Sequence, residues 1–494
     1  MTRTNNKNNL SKENNLVDSA MYPLLLFLVV LTPFEDFILK FLPVSDRLYF
    51  YARFLSEGLI YAVFAIVFIR KLIKGVSFSR TPLDFPIIIF SEIVLMSIIV
   101  NNAGVFESIV SVRPFIRYIF LFYLIVNINI TLIQAGTIVR YFFYTGVAQL
   151  ITGIVQFISR GAIDSFLQPR ASDIDIGGVT KDFAVLSGRE IGSIYGAAGD
   201  TILFASFITL FLIITVSKMY IANPKIIKHN GSHLEKINSK KENIILGIII
   251  VATVIAIGLT YVRACLFIAL IVLTAYSLLK FYNRKRIGII VMIISLLLLI
   301  ASISINFFGD FHSPKYIGNA RQTQQSVIDN MTGIFSEDYI KVARQQRLGA
   351  LTDIPSTVIY NKPFLGYGPN ELLTIENLNN SPTSFLTKEW TQEGFKDVYW
   401  VSIMAFYGIA GLFTVAWMFY RLYKWSKIIY FRTQKTVIKE ISLCVLTITL
   451  TTTFLLFFNR TIEFRIYGLY FWLFPGLMFN LYSKEKLTTS KEIL

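Results

Sequence analysis

Long apolar runs recur along the whole chain and are separated by short polar segments. A membrane-spanning helix needs about 20 mostly apolar residues, and the pattern predicts twelve such helices. The first is interrupted by Pro33, Glu35 and Asp36, and because no small-residue cleavage site follows it, we interpret it as a retained helix rather than a signal peptide. The twelve predicted helices lie near 18–40, 53–70, 83–100, 111–129, 137–158, 199–217, 243–261, 264–280, 287–307, 397–420, 440–458 and 465–482.

Basic residues are concentrated in the segments that this helix count places on one side of the membrane. Six segments hold 26 of the 47 Lys and Arg residues, and Lys and Arg mark cytoplasmic loops. We therefore predict that both termini are cytoplasmic. The six segments are 1–17, 69–80, 217–243, 279–287, 420–440 and 483–494.

Composition supports a membrane protein and argues against other classes. Only 16% of the residues are charged, against about 25% in soluble domains, and 54% are hydrophobic. The net charge of +16 would suit a nucleic-acid-binding protein, but its Lys and Arg residues sit mainly in short loops, so we expect no nucleic-acid partner. Cys265 and Cys444 lie in separate apolar stretches without metal-ligand spacing, so neither a disulfide nor a metal site is expected.

The other side of the membrane carries two longer segments, an external loop at 159–198 and a large extracytoplasmic loop at 308–396. The prediction thus divides the chain into a cytoplasmic tail, nine helices, the large loop, three helices and a second tail. Their bounds are 1–17, 18–307, 308–396, 397–482 and 483–494. Within the large loop, Ile340–Thr352 is predicted to be helical, Pro355 and Pro363 to bound the next segment, and the sequence GYGPNE at 366–371 to form a turn.

Several arginines fall at the predicted external ends of helices, where the positive-inside rule disfavours them. Each is explained either as an anchor that reaches lipid headgroups or as part of a site for a multivalent anion, since the guanidinium fork suits phosphate. The acidic candidates are Asp397 and Glu463. Asp397, at the start of the tenth helix, is either an N-cap or an acceptor of a hydroxyl proton, and Glu463 lies in the last external turn. The arginines are Arg113, Arg117, Arg189, Arg263, Arg460 and Arg465.

The segment from Arg347 to Gly411 resembles the signature region of the O-antigen polymerase and ligase family, which contains Wzy-type polymerases and lipopolysaccharide O-antigen ligases. It carries Arg347, then NKPFLGYGPNE at 361–371, then DVYWVSIMAFYGIAG at 397–411. Upstream, REIGSIYGAAGD at 189–200 and LTYVRA at 259–264 resemble two further family segments, each with an arginine. The ligases of this family carry a histidine where this chain has Asp397, so the polymerases are the better match.

The resemblance implies an all-α polytopic protein of about twelve transmembrane helices with a GT-C-like fold. It implies a membrane glycosyltransferase that joins undecaprenyl-diphosphate-linked repeat units at the outer face of the bacterial cytoplasmic membrane, without metal or cofactor. Its partners would be these lipid-linked oligosaccharides and membrane lipids, with a chain-length regulator and a flippase. We expect Asp397, Arg263 and Arg347 to be catalytic, and the substrate-binding residues to be Arg189, Arg344, Arg113, Arg460, Arg465, Asn370 and Tyr399.

Two alternatives remain open on the sequence alone. One is an O-antigen ligase or a protein O-oligosaccharyltransferase from the same family. The other, from a different class, is a lipid-linked oligosaccharide flippase or a transporter. Transporters usually show internal repeats and paired broken helices around charges at mid-membrane depth, and no clear repeat is visible between the two halves of this sequence.

Overall fold

A computed structural model describes most of the chain outside the loops. The described residues are 21–43, 45–160, 162–168, 172–176, 179–183, 193–221, 233–260, 262–280, 349–382, 395 and 398–492.

Helices make up nearly all of this part of the chain. The first half contains α1 (Met21–Leu39), α2 (Asp46–Ala52), α3 (Leu55–Ile73), α4 (Asp84–Asn101), α5 (Val105–Asn127), α6 (Leu132–Ile158) and α7 (Asp164–Leu167). The second half contains α8 (Thr201–Ile221), α9 (His233–Leu259), α10 (Arg263–Lys280), α11 (Gly349–Asn361), α12 (Glu371–Asn379), α13 (Tyr399–Arg432), α14 (Thr436–Leu455) and α15 (Arg465–Glu492).

The prediction of a polytopic membrane protein is confirmed at this level. Among the described residues, eight helices are long and apolar enough to cross a membrane: α1, α4, α5, α6, α8, the Lys241–Leu259 part of α9, α13 and α14. Helices α3, α10 and α15 coincide with three further predicted helices. The predicted helix at 287–307 lies outside the described residues.

Three local features differ from the predictions. Strands β1 (Ser172–Ile176) and β2 (Val179–Phe183) pair antiparallel within the segment 159–198, where no sheet was predicted. Pro355 was expected to bound an element but lies inside α11. The predicted fourth helix begins at Val105 rather than near 111, which moves the arginines of α5 away from its end.

The last helix, α15, forms the centre of the bundle. Its side chains from Tyr467 to Phe474 are almost fully buried, so this part of α15 is surrounded by the other helices. The Tyr470 ring lies 4.6 Å from the Phe142 ring, centroid to centroid, and its hydroxyl donates to the carbonyl oxygen of Val29 at 2.5 Å. These contacts tie the C-terminal helix to α1 and α6.

Two of the apolar helices in the described part of the chain are interrupted. In α1, residues Thr32–Phe34 form a 3-10 turn, and the Gln149 side-chain amide donates to the freed carbonyl oxygen of Pro33 at 2.7 Å. In α13, Gly408 has φ +64° and ψ −162°, so the helix breaks there and resumes. Broken helices are stable at membrane depth only where protein groups bond the freed backbone.

Candidate functional site

The break at Gly408 is filled by the loop that connects α11 to α12. The amide nitrogens of Tyr367 and Gly368 donate to the carbonyls of Ala405 and Phe406 at 2.8 and 3.0 Å. In return, the amide of Ile409 donates to the carbonyl of Pro363 at 2.8 Å. The loop therefore supplies hydrogen-bond partners to both sides of the break, and we call residues 362–368 the wedge loop.

Only glycine permits this approach of two backbones. Gly366 and Gly408 both have φ near +60°, a conformation that L side chains rarely adopt. A side chain at Gly366 would collide with the carbonyl oxygen of Ala405, and one at Gly408 would collide with the backbone of Phe364. The predicted GYGPNE turn is thus present, and its two ends are the wedge loop and the start of α12.

The C-terminal part of α4 and the turn after it hold the wedge loop and the start of α12 from the other side. The Ser97 hydroxyl donates to the carbonyls of Leu365 and Phe406 at 2.7 and 2.9 Å. Asn370, a predicted substrate-binding residue, caps α12 by accepting from the Leu373 amide at 3.2 Å. Its side-chain nitrogen donates to the carbonyl of Ala103 at 2.9 Å, so both of its amide groups are used within the protein.

Arg460, in the turn before α15, joins the wedge-loop region to the start of α13. Its Nη1 lies 3.1 Å from Glu371 Oε2, and its Nη2 donates to the carbonyl of Phe395 at 3.0 Å and to Ser402 Oγ at 3.2 Å. The guanidinium also lies 4.9 Å from the centre of the Phe395 ring. Burial alone would lower the pKa of Arg460, but Glu463 and Glu371 raise it above its ordinary value, so it stays charged.

Arg465, the first residue of α15, pairs with the two carboxylates that directly follow the 3-10 turn of α1. Its Nη2 lies 2.6 Å from Asp36 Oδ1, and its Nη1 lies 3.4 Å from Glu35 Oε2. Arg53 makes a second ion pair with Asp36 at 2.9 Å. The Ser56 hydroxyl donates to Glu35 at 2.9 Å, so both buried carboxylates are paired and hydrogen-bonded.

Arg113 and Arg117 share Glu57 of α3 as a partner. Arg113 Nε lies 3.6 Å from Glu57 Oε1, and Arg117 Nη1 lies 3.5 Å from Oε2. The Arg113 guanidinium also lies 4.5 Å from the centre of the Phe54 ring. The two arginines follow Val105 by eight and twelve residues, so they lie roughly 12 and 18 Å along α5 from its start. They were predicted to head this helix, and the structure places them well inside it.

Together these residues form one arginine–carboxylate cluster near the starts of α13 and α15 and beside the interior of α5. Arg117 joins two of its parts, because its Nη2 donates to the carbonyl oxygen of Glu463 at 2.5 Å. Its formal charges balance, since the described part of the chain contributes five arginines and five carboxylates to it. The exposed side chains of Val105, Phe106 and Ile109 precede the cluster on α5 and are apolar. Ionisable groups that lie beyond an apolar stretch of a membrane helix are energetically costly and usually mark functional sites. The members are Arg53, Arg113, Arg117, Arg460, Arg465, Glu35, Asp36, Glu57, Glu371 and Glu463.

Tyr399 lies beside this cluster as the first residue of α13. Its amide donates to the carbonyl of Leu456 at 3.0 Å, and its ring centre lies 6.3 Å from that of Phe115. The side chain is buried, and its hydroxyl has no hydrogen-bond partner among the described residues. A buried hydroxyl in this state is suited to a ligand or water oxygen.

The remaining predicted site residues cannot be placed in the same way. Arg263 begins α10, but its side chain lies outside the described part. Asp397, Arg189, Arg344 and Arg347 lie outside the described residues. Phe395 and Val398, on either side of Asp397, are both fully buried.

Sequence reasoning found only Glu463 among the five carboxylates of the cluster. Glu35 and Asp36 were noted only as an interruption of the first helix, and Glu57 and Glu371 were not singled out. Carboxylates inside apolar helices are a recognised signal, and that signal alone would have found the first three.

In the described part of the chain, no group of three or more His, Cys, Asp or Glu side chains is placed to hold a metal ion. No protein-family model matches the chain. No curated protein matches it either.

Proposed function

We propose that this protein is a polysaccharide polymerase that joins undecaprenyl-diphosphate-linked repeat units at the outer face of a bacterial cytoplasmic membrane. The product would be a capsule, an exopolysaccharide or an O-antigen. The proposal includes twelve membrane spans, a GT-C-like fold and two cytoplasmic termini. The sequence resemblance and the distribution of basic loops support it.

One structural observation carries the proposal. Segments 361–371 and 397–411 make up the core of the resemblance, and they belong to different helices and loops. Backbone hydrogen bonds nevertheless join them, between the wedge loop and the residues around Gly408. Arg460 adds a side-chain link between the same two segments, since its guanidinium pairs with Glu371 and donates to Ser402 Oγ. A motif whose separate parts meet in space is expected of a site, whereas chance likeness has no reason to bring them together.

The proposed reaction assigns distinct roles to the charged residues. An acceptor sugar hydroxyl attacks the anomeric carbon of the growing glycan, a new carbon–oxygen bond forms, and the lipid diphosphate leaves with the electron pair of the broken bond. Asp397 accepts the hydroxyl proton. Arg189, Arg263, Arg344 and Arg347 stabilise the leaving diphosphate, because fixed cations lower the energy of developing charge without a metal or cofactor.

A different role is proposed for three other arginines, because each is already paired with a carboxylate of the protein. They are Arg113, Arg460 and Arg465. We propose that they contribute to substrate binding by shaping the site, with Asn370 and Tyr399 beside them. The unpartnered Tyr399 hydroxyl is the group of this set best placed to donate to a substrate oxygen.

The test is deletion of the gene and complementation with single variants in the source cells. Deletion should remove long polymer and leave single repeat units on the lipid carrier. Wild-type protein should restore the polymer, and Asp397→Asn should not, at unchanged protein level, because the amide keeps the size of the side chain but cannot accept the proton. Normal polymer from Asp397→Asn would reduce Asp397 to an N-cap.

The same deletion separates the proposal from its family alternatives. Loss of a ligase or of a protein O-oligosaccharyltransferase would leave finished long chains on the lipid carrier instead of single units. Long chains on the lipid carrier after deletion would therefore contradict the polymerase proposal.

A lipid-linked oligosaccharide flippase or transporter is the second candidate, and the interrupted helices α1 and α13 favour it. Both interruptions lie next to the arginine–carboxylate cluster, and broken helices beside charges are typical of transport sites. Deletion of a flippase would leave single repeat units on the cytoplasmic side, where an impermeant glycosidase cannot reach them in intact cells. Single units that this glycosidase digests would support the polymerase.

The proposed orientation has its own test. Single cysteines at Ser313 and Ser384 should react with an impermeant thiol reagent in intact cells, because the large loop 308–396 is proposed to face outside. Reaction only after lysis would invert the topology and contradict an outer-face site.

A further inference from the structure

The region from α11 to α12 exposes large apolar side chains that water would not favour. Tyr360 and Phe364 are each 75% exposed, and Ile359 and Leu372 are more than half exposed. The rest of α11 behaves differently: Ile354 and Val358 are buried against the bundle, and Ser356 is exposed and polar. The exposed apolar groups are therefore confined to the C-terminal end of α11 and the wedge-loop region, which we call the apolar rim (Ile359, Tyr360, Phe364 and Leu372).

The apolar rim is continuous with surface that faces lipid. The carbonyl of Phe364 accepts from the amide of Ala410 at 3.4 Å, one residue after the exposed Ile409 and three before the exposed Phe413 on the apolar helix α13. On the other side, the Lys362 ammonium donates to Asn101 Oδ1 at 2.9 Å, at the end of α4. The exposed side chains flanking that point are Ile99, Val100, Val105, Phe106 and Ile109.

We infer that the apolar rim inserts into the membrane leaflet at this end of the bundle, so that part of the segment predicted as a water-exposed loop is a lipid-contacting element. The partner is the lipid bilayer itself, since the rim extends an apolar belt already formed by α4, α5 and α13. The side-chain types fit the interface: Tyr360 presents a ring with a polar tip, and Lys362 offers a cation at headgroup level. This inference does not depend on the proposed reaction.

Lipid contact also explains the position of the wedge loop. Irregular backbone is tolerated within a bilayer only if other groups bond it, and the carbonyls of Pro363, Phe364 and Leu365 all accept hydrogen bonds from α13 or from Ser97. The loop thus presents side chains, not free backbone, to the lipid.

The experiment uses the full-length protein with single cysteines at Tyr360 or Phe364, each labelled with bimane, after Cys265 and Cys444 are replaced by Ala. Both native cysteines are buried, so the matched cysteine-free protein serves as the folding reference. The labelled protein is reconstituted into phosphatidylcholine vesicles with brominated acyl chains. Phe413→Cys on α13 is the lipid-facing control, and Ser356→Cys on α11 and Glu376→Cys on α12 are the water-facing controls.

Bimane at 360 and 364 should be quenched by the brominated chains to at least about half the extent seen at 413, as expected for groups in the headgroup and acyl boundary. At 356 and 376, iodide in the water should be the stronger quencher. The inference would be overturned if quenching at 360 and 364 matched that at 356. It would also be overturned if neither agent quenched them because a second copy of the protein covers the rim. If the cysteine at 364 prevents folding, the result at 360 decides.

Discussion

Arg460 and Glu371 form an ion pair with Nη1 and Oε2 3.1 Å apart, which connects the turn before the last helix to the first residue of α12. Through its other nitrogen, Arg460 also bonds the backbone at Phe395, two residues before Asp397. One side chain therefore fixes two segments that the sequence separates by more than twenty residues. Arg460 is therefore a residue that positions these two segments. Its effect on activity can be tested by changing Arg460 and its partner Glu371 singly and together.

We expect Glu371→Gln and Arg460→Gln each to reduce polymer, and the double variant to lose little more than either single variant. Residues in contact are coupled by about 0.5–3 kcal/mol, so their effects do not add. Arg460→Lys should restore activity only in part, because an ammonium cannot bond Glu371 and the Phe395 carbonyl with one planar fork. Polymer yield and protein level would be measured together. Fully additive losses would contradict the pairing.

Gly408→Ala should destabilise the protein strongly. The positive φ costs about 1–3 kcal/mol for a residue with a side chain, and the added methyl collides with the backbone of Phe364. The matched control is Gly247→Ala in α9, where a Cβ would meet nothing within 4 Å. Thermal unfolding in detergent should show a lower Tm for Gly408→Ala and an unchanged or higher Tm for the control. An equal Tm for both variants would show that the break does not need glycine.

Removal of Arg465 should disrupt the fold before it affects any substrate. Loss of one partner of a buried ion pair costs about 3–5 kcal/mol, and Arg465→Ala leaves the Asp36 and Glu35 carboxylates without it. The double variant Asp36→Asn with Arg465→Gln should recover part of the stability, because it restores the charge balance. Arg113→Ala is the comparison: its side chain is one quarter exposed, its ion pair with Glu57 is long, and Arg117 still pairs with Glu57, so the loss should be smaller than for Arg465→Ala. A stable Arg465→Ala protein that fails only in substrate binding would instead support a direct role for this residue.

The proposed diphosphate ligands should behave in the opposite way. Arg189→Ala, Arg263→Ala and Arg347→Ala are each expected to abolish polymer while the protein remains folded, with partial activity from the Lys variants. Folding would be followed by Tm and membrane protein level, and activity by polymer length and yield. Full polymer from Arg263→Ala would identify that arginine as a headgroup anchor.

The helices of this protein were largely predictable because a span leaves a local pattern. Thr201–Ile221 and Tyr399–Arg432 are apolar over their spans, and both were found from sequence. The start of α5 was missed by six residues, because the polar residues Glu107 and Ser108 interrupt the apolar pattern of its first turn. The hairpin of β1 and β2 was not predicted, since five-residue strands in a polar segment carry little periodicity.

Most of the candidate site could not be predicted, because its partners are distant in sequence. Arg113 reads as an external arginine, and nothing local indicates that Glu57, on another helix, neutralises it. Likewise, GYGPNE predicts a turn by composition, but not that its backbone fills a break at Gly408. Residue types indicated which chemistry was present, whereas pairing required the fold.

The ion pair between Arg465 and Asp36 joins residues that are 429 positions apart. A ribosome adds about 5–20 residues per second, so α1 is synthesised roughly 20 to 90 s before the arginine that completes its pair. During that interval, the acidic residues of α1 have to be accommodated by Arg53, by water or by protonation. Maturation of the charged cluster is therefore one of the last events in the synthesis of the chain, and a chain cut short before α15 would carry an incomplete cluster.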